Sequence, residues 1–150
     1  MLAARLGRRL VDTDNLIENN TDLTIPQIFE RYGEEYFRDL ESEVIAGLNC
    51  YPPGDLVVST GGGAVIRETN RKHFFKQGIV VLLTASTETI LERVRSTGGR
   101  PLLEGGKLKE KVESLWAERE PYYRQCHLEV NTAGRLPEET AAEIIGILGL

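Results

Sequence analysis

Leu56-Val57-Val58-Ser59-Thr60-Gly61-Gly62-Gly63 is the stretch whose reading decides the architecture. Its apolar, β-branched start has no alternation of polar residues. A strand of that kind is covered on both faces, the habit of parallel sheets layered between helices. The three glycines that follow remove every Cβ from the strand's exit. Backbone can then approach a ligand closely and offer N–H groups to an anion or hydroxyl. A flexible turn is the plainer alternative.

Working outward, residues 79–84 (Ile-Val-Val-Leu-Leu-Thr) form a second apolar run, and residues 8–12 and 128–131 read as two shorter strands. Helical periods fall between them. Residues 1–6 end at Gly7, and residues 24–32 open on a Thr24/Gln27 capping-box spacing with Pro26 in the first turn. Residues 34–48 place Phe37, Leu40, Val44, Ile45 and Leu48 on one face. Residues 69–77, 87–95, 108–124 (bent at Pro121) and 137–148 complete the helices. Residues 96–106 form a Gly-rich charged loop. Strands alternating with helices predict an α/β fold, a single domain over residues 1–150.

Composition narrows the function. The chain has 150 residues and a net charge of −5, so it lacks the cationic surface of a general nucleic-acid binder. No apolar run is long enough to span a membrane, and residues 1–5 do not form a secretory signal. Cys50 and Cys126 sit in no metal spacing, nor do His73 and His127, which leaves a cytoplasmic protein without zinc as the expectation. Phe74, Phe75, residues 79–83, Leu108, Val112, Leu115 and Trp116 are expected in the core.

Ligands in parallel sheets bind where strands end. That rule points to Asp12-Thr13-Asp14, to residues 60–63 and to the 96–106 loop. Alternate carboxylates after a strand can serve a metal and a substrate hydroxyl; Asp-Thr-Asp-Asn is also good turn chemistry. Arg38 and Glu41 share a helix face, as a surface ion pair would. Arg119 and Arg124 flank Pro121-Tyr122-Tyr123. Arg100, in Gly98-Gly99-Arg100-Pro101, suits a lid closing on a charged group as well as it suits an ordinary loop.

In combination these segments resemble the shikimate kinase family, a branch of the P-loop kinases. The resemblance rests on Val11-Asp12-Thr13-Asp14; Gly33-Glu34 with Phe37-Arg38 and Glu41; residues 57–63; Arg93; Arg100-Pro101-Leu102; Glu118-Arg119 with Tyr123-Arg124; and Asn131-Thr132 before Pro137. It implies a three-layer α/β/α parallel sheet of the P-loop kinase type and transfer of a phosphoryl group from Mg-ATP to the 3-hydroxyl of shikimate. It implies that Asp14 holds and activates the substrate hydroxyl, that Arg38 and Arg124 bind its carboxylate, and that Gly61, Gly62 and Gly63 line it. Asp12 would reach Mg²⁺ through water, Arg100 would cover the transferring group, and Arg93 with the stretch before Pro137 would hold adenine. Small kinases of this family are usually monomeric.

The 150 residues contain no Gly-x-x-x-x-Gly-Lys-Ser/Thr loop; Gly106-Lys107 is followed by Leu108, and Pro101 takes the first glycine position. Residues 1–9 match the end of the helix that follows such a loop. An N-terminally truncated chain is therefore expected, lacking the family's first strand, inactive as written and prone to self-association. A non-catalytic shikimate-binding pseudo-kinase and another small-molecule kinase, such as a gluconate kinase, are the alternatives.

Overall fold

Gly7 stops the first helix, α1 (Leu2–Leu6), by taking a left-handed conformation at φ 63°, from which the chain turns directly into strand β1 (Arg9–Asp12). The computed structural model describes residues 1–96 and 105–150 and divides into two compact units, Met1–Val80 and Val81–Leu150.

In the first unit β1 pairs in parallel with β2 (Leu56–Ser59), in the register Arg9 to Leu56 through Asp12 to Ser59. Parallel strands need a crossover, and α2 (Thr13–Thr21) and α3 (Ile25–Gly47) supply it, with a 3-10 turn at Leu48–Cys50. Helix α4 (Glu68–Gln77) follows β2. The second unit repeats the plan. Strand β3 (Val81–Thr84) pairs in parallel with β4 (Leu128–Asn131), joined through α5 (Thr87–Ser96) and α6 (Gly105–Tyr123), and α7 (Pro137–Leu148) closes the chain. The strands thus form two parallel pairs, each strand having one partner among the described residues.

Helix α2 departs from the sequence reading, which placed no helix over residues 13–21 and left Asp12-Thr13-Asp14-Asn15 as either turn chemistry or paired carboxylates after a strand. Its sequence is rich in Asn and Thr, weak helix formers. It forms because Asp12 caps it, Oδ1 accepting from the backbone N–H of Asp14 and Asn15 at 3.0 and 3.1 Å. Thr13 and Ile17, one turn apart, are buried beneath it. Helix α3 opens on the expected capping box, Thr24 Oγ1 accepting from Gln27 N–H and Gln27 Oε1 from Thr24 N–H. The expected break between two helices becomes a kink, because Gly33 lies at φ 82°, ψ 175°.

Ile17, Ile28 and Phe37 form a buried cluster where α2 meets α3, with Leu23, Ile25, Leu40 and Val44 packed around it. In the second unit Leu91, Val130, Ala141 and Ile144 are buried. Phe75, Ile79 and Leu83, expected in the core, stay exposed, as does Leu10 on β1. Successive strand residues point to opposite faces, which accounts for Leu10 on β1 and Leu83 on β3; Phe75 on α4 and Ile79 ahead of β3 lie outside the strands. Helix α6 runs through Pro121 to end two residues later, where a lost N–H disturbs only the last turn. No helix among the described residues is long and apolar enough to cross a membrane.

Candidate active site

The register of β1 and β2 brings Asp12 level with Ser59, so both exits lie at one edge of the pair. Asp14 leaves one exit on the first turn of α2, and Gly61-Gly62-Gly63 leave the other. They meet: a Cβ built on Gly61 would lie 3.2 Å from Asp14 Oδ1. Oδ1 of Asp14 is closed off from solvent and has no hydrogen-bond partner among the described residues. Burial, then the charges of Asp12 and Glu18, push the Asp14 carboxyl above the usual carboxylate range, and Arg38 pulls it partly back. The result is a carboxylate with one oxygen lacking a donor among the described residues, which holds a proton more readily than an exposed aspartate.

Arg38 comes from α3, just past the Gly33 kink, and is nearly buried. Its Nη1 donates to Glu41 Oε2 at 2.8 Å and its Nη2 to Glu34 Oε1 at 3.1 Å. Burial disfavours its charge, but bonds to Glu41 and then Glu34 more than offset this, so its pKa rises. Glu41 is wholly buried. Burial pushes its carboxyl up, against the pull of the Arg38 guanidinium. The expected surface pair is therefore a buried support that fixes the guanidinium. A Cβ on Gly63 would stand only 2.4 Å from both Arg38 Nη atoms. The third glycine is thus required for close approach of backbone to arginine, not for turn geometry.

The glycine loop is tethered behind by α4. Asn70 Nδ2 donates to the carbonyl of Ala64, and Arg71 Nη1 donates to those of Val65 and Ile66. Arg67 ties the same segment to Glu35 and Asp39 of α3, the second bond being 2.7 Å. The sequence reading missed these three residues; at the polar start of a helix no periodicity marks them.

In the second unit, Arg93 on α5 donates from Nη1 to Thr132 Oγ1 at 2.9 Å and from Nη2 to the Thr132 carbonyl at 2.8 Å. Thr132 Oγ1 in turn donates to the Thr84 carbonyl, fastening this arginine to the exits of β3 and β4. Pro137 starts α7 five residues further on. Arg124 is half-exposed and bridges Glu120 and Glu129, at 3.0 and 2.8 Å. Those bonds, Glu120's first, raise its pKa. Arg100 and most of the expected lid lie outside the described residues. Among the described residues no three His, Cys, Asp or Glu side chains gather as a metal cage.

The first unit therefore assembles a hydroxyl acceptor, a fixed guanidinium and close-approach glycines in one place. Comparison with known proteins agrees with this chemistry. The shikimate kinase family profile matches residues 1–148. Shikimate kinase of Geobacter metallireducens is 42% identical over 148 residues, 99% of this chain and 82% of that protein. Its counterpart from Geobacter sulfurreducens is 44% identical over 144 residues, 96% of this chain and 78% of that protein. Among solved structures, shikimate kinase from Acinetobacter baumannii in complex with shikimate superposes with a TM-score of 0.88 at 36% identity, covering 98% of this chain and 82% of that one. Shikimate kinase from Bacteroides thetaiotaomicron gives a TM-score of 0.91 at 26% identity, with 99% and 88% coverage. By sequence and by structure, the chain belongs to the shikimate kinase family.

Proposed function

We propose that this chain binds shikimate through Asp14, Arg38 and Gly61–Gly63, and that these residues serve transfer of the ATP γ-phosphoryl group to the 3-hydroxyl. The observation that carries the reading is the solvent-excluded Oδ1 of Asp14, without a partner among the described residues, beside Gly61 and in the same cluster as Arg38. A substrate hydroxyl would supply the missing donor. Asp14 then orients that hydroxyl and accepts its proton as the oxygen–phosphorus bond forms and the bond to the leaving diphosphate breaks. Burial and the neighbouring charges of Asp12 and Glu18 raise its pKa, which makes it a better proton acceptor than an exposed aspartate. Arg38, with its planar fork held by Glu41, pairs with the substrate carboxylate. Arg124 is proposed as a further carboxylate ligand, Arg93 with the stretch before Pro137 as the adenine contact, and Arg100 as the group over the transferring phosphoryl.

Magnesium fits as a weakly held, partly hydrated ion. Asp12 is an oxygen donor beside Asp14, and Mg²⁺ ordinarily takes one or two carboxylates and fills its other positions with water and phosphate. When bound it neutralises phosphate charge during transfer. Asp12 spends Oδ1 on capping α2, which keeps its carboxylate oriented at the strand exit.

The 150 residues contain no phosphate-binding loop, so by themselves they are expected to bind shikimate and transfer phosphoryl groups poorly. Calorimetric titration with shikimate and, separately, gluconate tests the reading. Saturable binding of shikimate, weakened about tenfold or more by Arg38→Ala, is expected. Binding of gluconate alone would overturn the substrate assignment.

A further inference from the structure

The loop that starts at Gly61 does not end at Gly63. It runs on through Ala64, Val65 and Ile66 before α4 begins, and its own turns are narrow. Ala64 N–H donates to the Gly61 carbonyl at 3.1 Å, and Ile66 N–H to the Gly63 carbonyl at 3.0 Å. The three carbonyls at its far end all accept bonds from two neighbouring side chains. Asn70 Nδ2 reaches Ala64 at 3.0 Å, and Arg71 Nη1 reaches Val65 at 2.6 Å and Ile66 at 2.8 Å. Asn70 is 1% exposed and Ala64 is wholly buried, so water cannot replace the first of these bonds. Meanwhile a Cβ on Gly61 would meet Asp14 and one on Gly63 would meet Arg38.

Three glycines in sequence have more conformations to lose than any other tripeptide. Left untethered, the loop would have to be ordered by the ligand, and affinity would fall by that cost. Side-chain bonds to three successive carbonyls remove the freedom beforehand. The paired contacts of Arg67 with Glu35 and Asp39 fix the start of α4 to the helix that carries Arg38. Loop and guanidinium are thereby held in one frame.

We propose that Asn70 and Arg71 are positioning residues for shikimate binding, acting through the carbonyls of Ala64, Val65 and Ile66 rather than by touching substrate. The proposal rests on the shikimate-binding reading above. It gives α4 a function that its sequence does not advertise: its first turn is a clamp on the glycine loop.

The test compares the 150-residue chain with Arg71→Met and Arg71→Lys. Arg71 is only partly buried, so neither change empties the core. Each protein is titrated calorimetrically with shikimate, melted, and followed by amide hydrogen exchange at residues 61–66. The bonds to the Val65 and Ile66 carbonyls both leave Nη1, so the single ammonium of lysine can face both carbonyls. Arg71→Met is expected to weaken shikimate binding about tenfold and to speed exchange at the Ala64 and Ile66 amides, with little change in melting temperature. Arg71→Lys is expected to recover most of both. Unchanged affinity in Arg71→Met would overturn the proposal, as would equal losses in both variants that track the melting temperature. If the parent chain itself fails to bind shikimate, the function proposed above falls for this chain. The clamp is then decided by exchange alone: faster exchange confined to residues 61–66 supports it, and unchanged exchange refutes it.

Discussion

Asp14 is held where its ionised form is disfavoured, partly buried and near the charges of Asp12 and Glu18. A carboxyl whose folded pKa lies above its unfolded value leaves stability untouched at low pH. As pH rises past the unfolded value of 3.8, the folded state loses stability relative to the unfolded, until the folded pKa is passed. Asp14→Asn removes that penalty. The variant is expected to melt a few degrees above the parent at neutral pH, with the difference vanishing well below the unfolded pKa, while shikimate binding is lost. Melting curves across pH decide it. A variant less stable than the parent at neutral pH, or one whose gain persists in acid, would show that Asp14 is a structural residue. Asp12, Asp14 and the glycines were legible beforehand as candidates because they follow strands, whereas Arg38, on α3, read by itself as a surface ion pair and stood out only through the family resemblance. Glu41 was legible only as a helix partner of Arg38. That it is wholly buried and braces the guanidinium is a matter of tertiary packing, which the sequence does not spell out.

At the scale of elements, the apolar strands and the capping box were readable, and α2 was not. Its Asn and Thr content mimics a turn, and only the tertiary burial of Thr13 and Ile17 makes the capped segment helical. The Gly33 kink has the opposite character: the sequence marks it as a stop, and packing keeps the two arms of α3 continuous. At φ 82°, ψ 175° a side chain is strongly disfavoured. Gly33→Ala is therefore expected to cost about 2 kcal/mol. Because Arg38 lies in the arm beyond the kink, the same change should also weaken shikimate binding. Thr24→Ala, which removes a cap at the far end of the same helix, is expected to cost about 1 kcal/mol and to leave affinity intact. Denaturant titrations and calorimetry on both variants check the pair. Equal effects on affinity would mean that the kink does not aim Arg38.

For the whole molecule the governing feature is that each strand has a single partner among the described residues. Two-stranded pairs are marginal in water, and every open edge presents backbone groups to another chain. Leu10 on β1 is 58% exposed, Val58 on β2 38% and Leu83 on β3 55%. Covering the exposed half of one such leucine is worth about 1 kcal/mol. Opposing this, the net charge of −5 spread over the surface repels another copy only within a Debye length of about 8 Å at physiological salt. The apolar term wins, so the 150-residue chain is expected to self-associate, increasingly so as salt screens the repulsion. Sedimentation velocity over a range of concentration and salt measures this directly. Lysine at exposed strand positions is the natural deterrent to edge pairing, so Leu10→Lys with Leu83→Lys should shift the chain toward monomer. A parent chain that stays monomeric at high salt and melts in one sharp step would mean that the strand edges and their exposed leucines are already adequately protected.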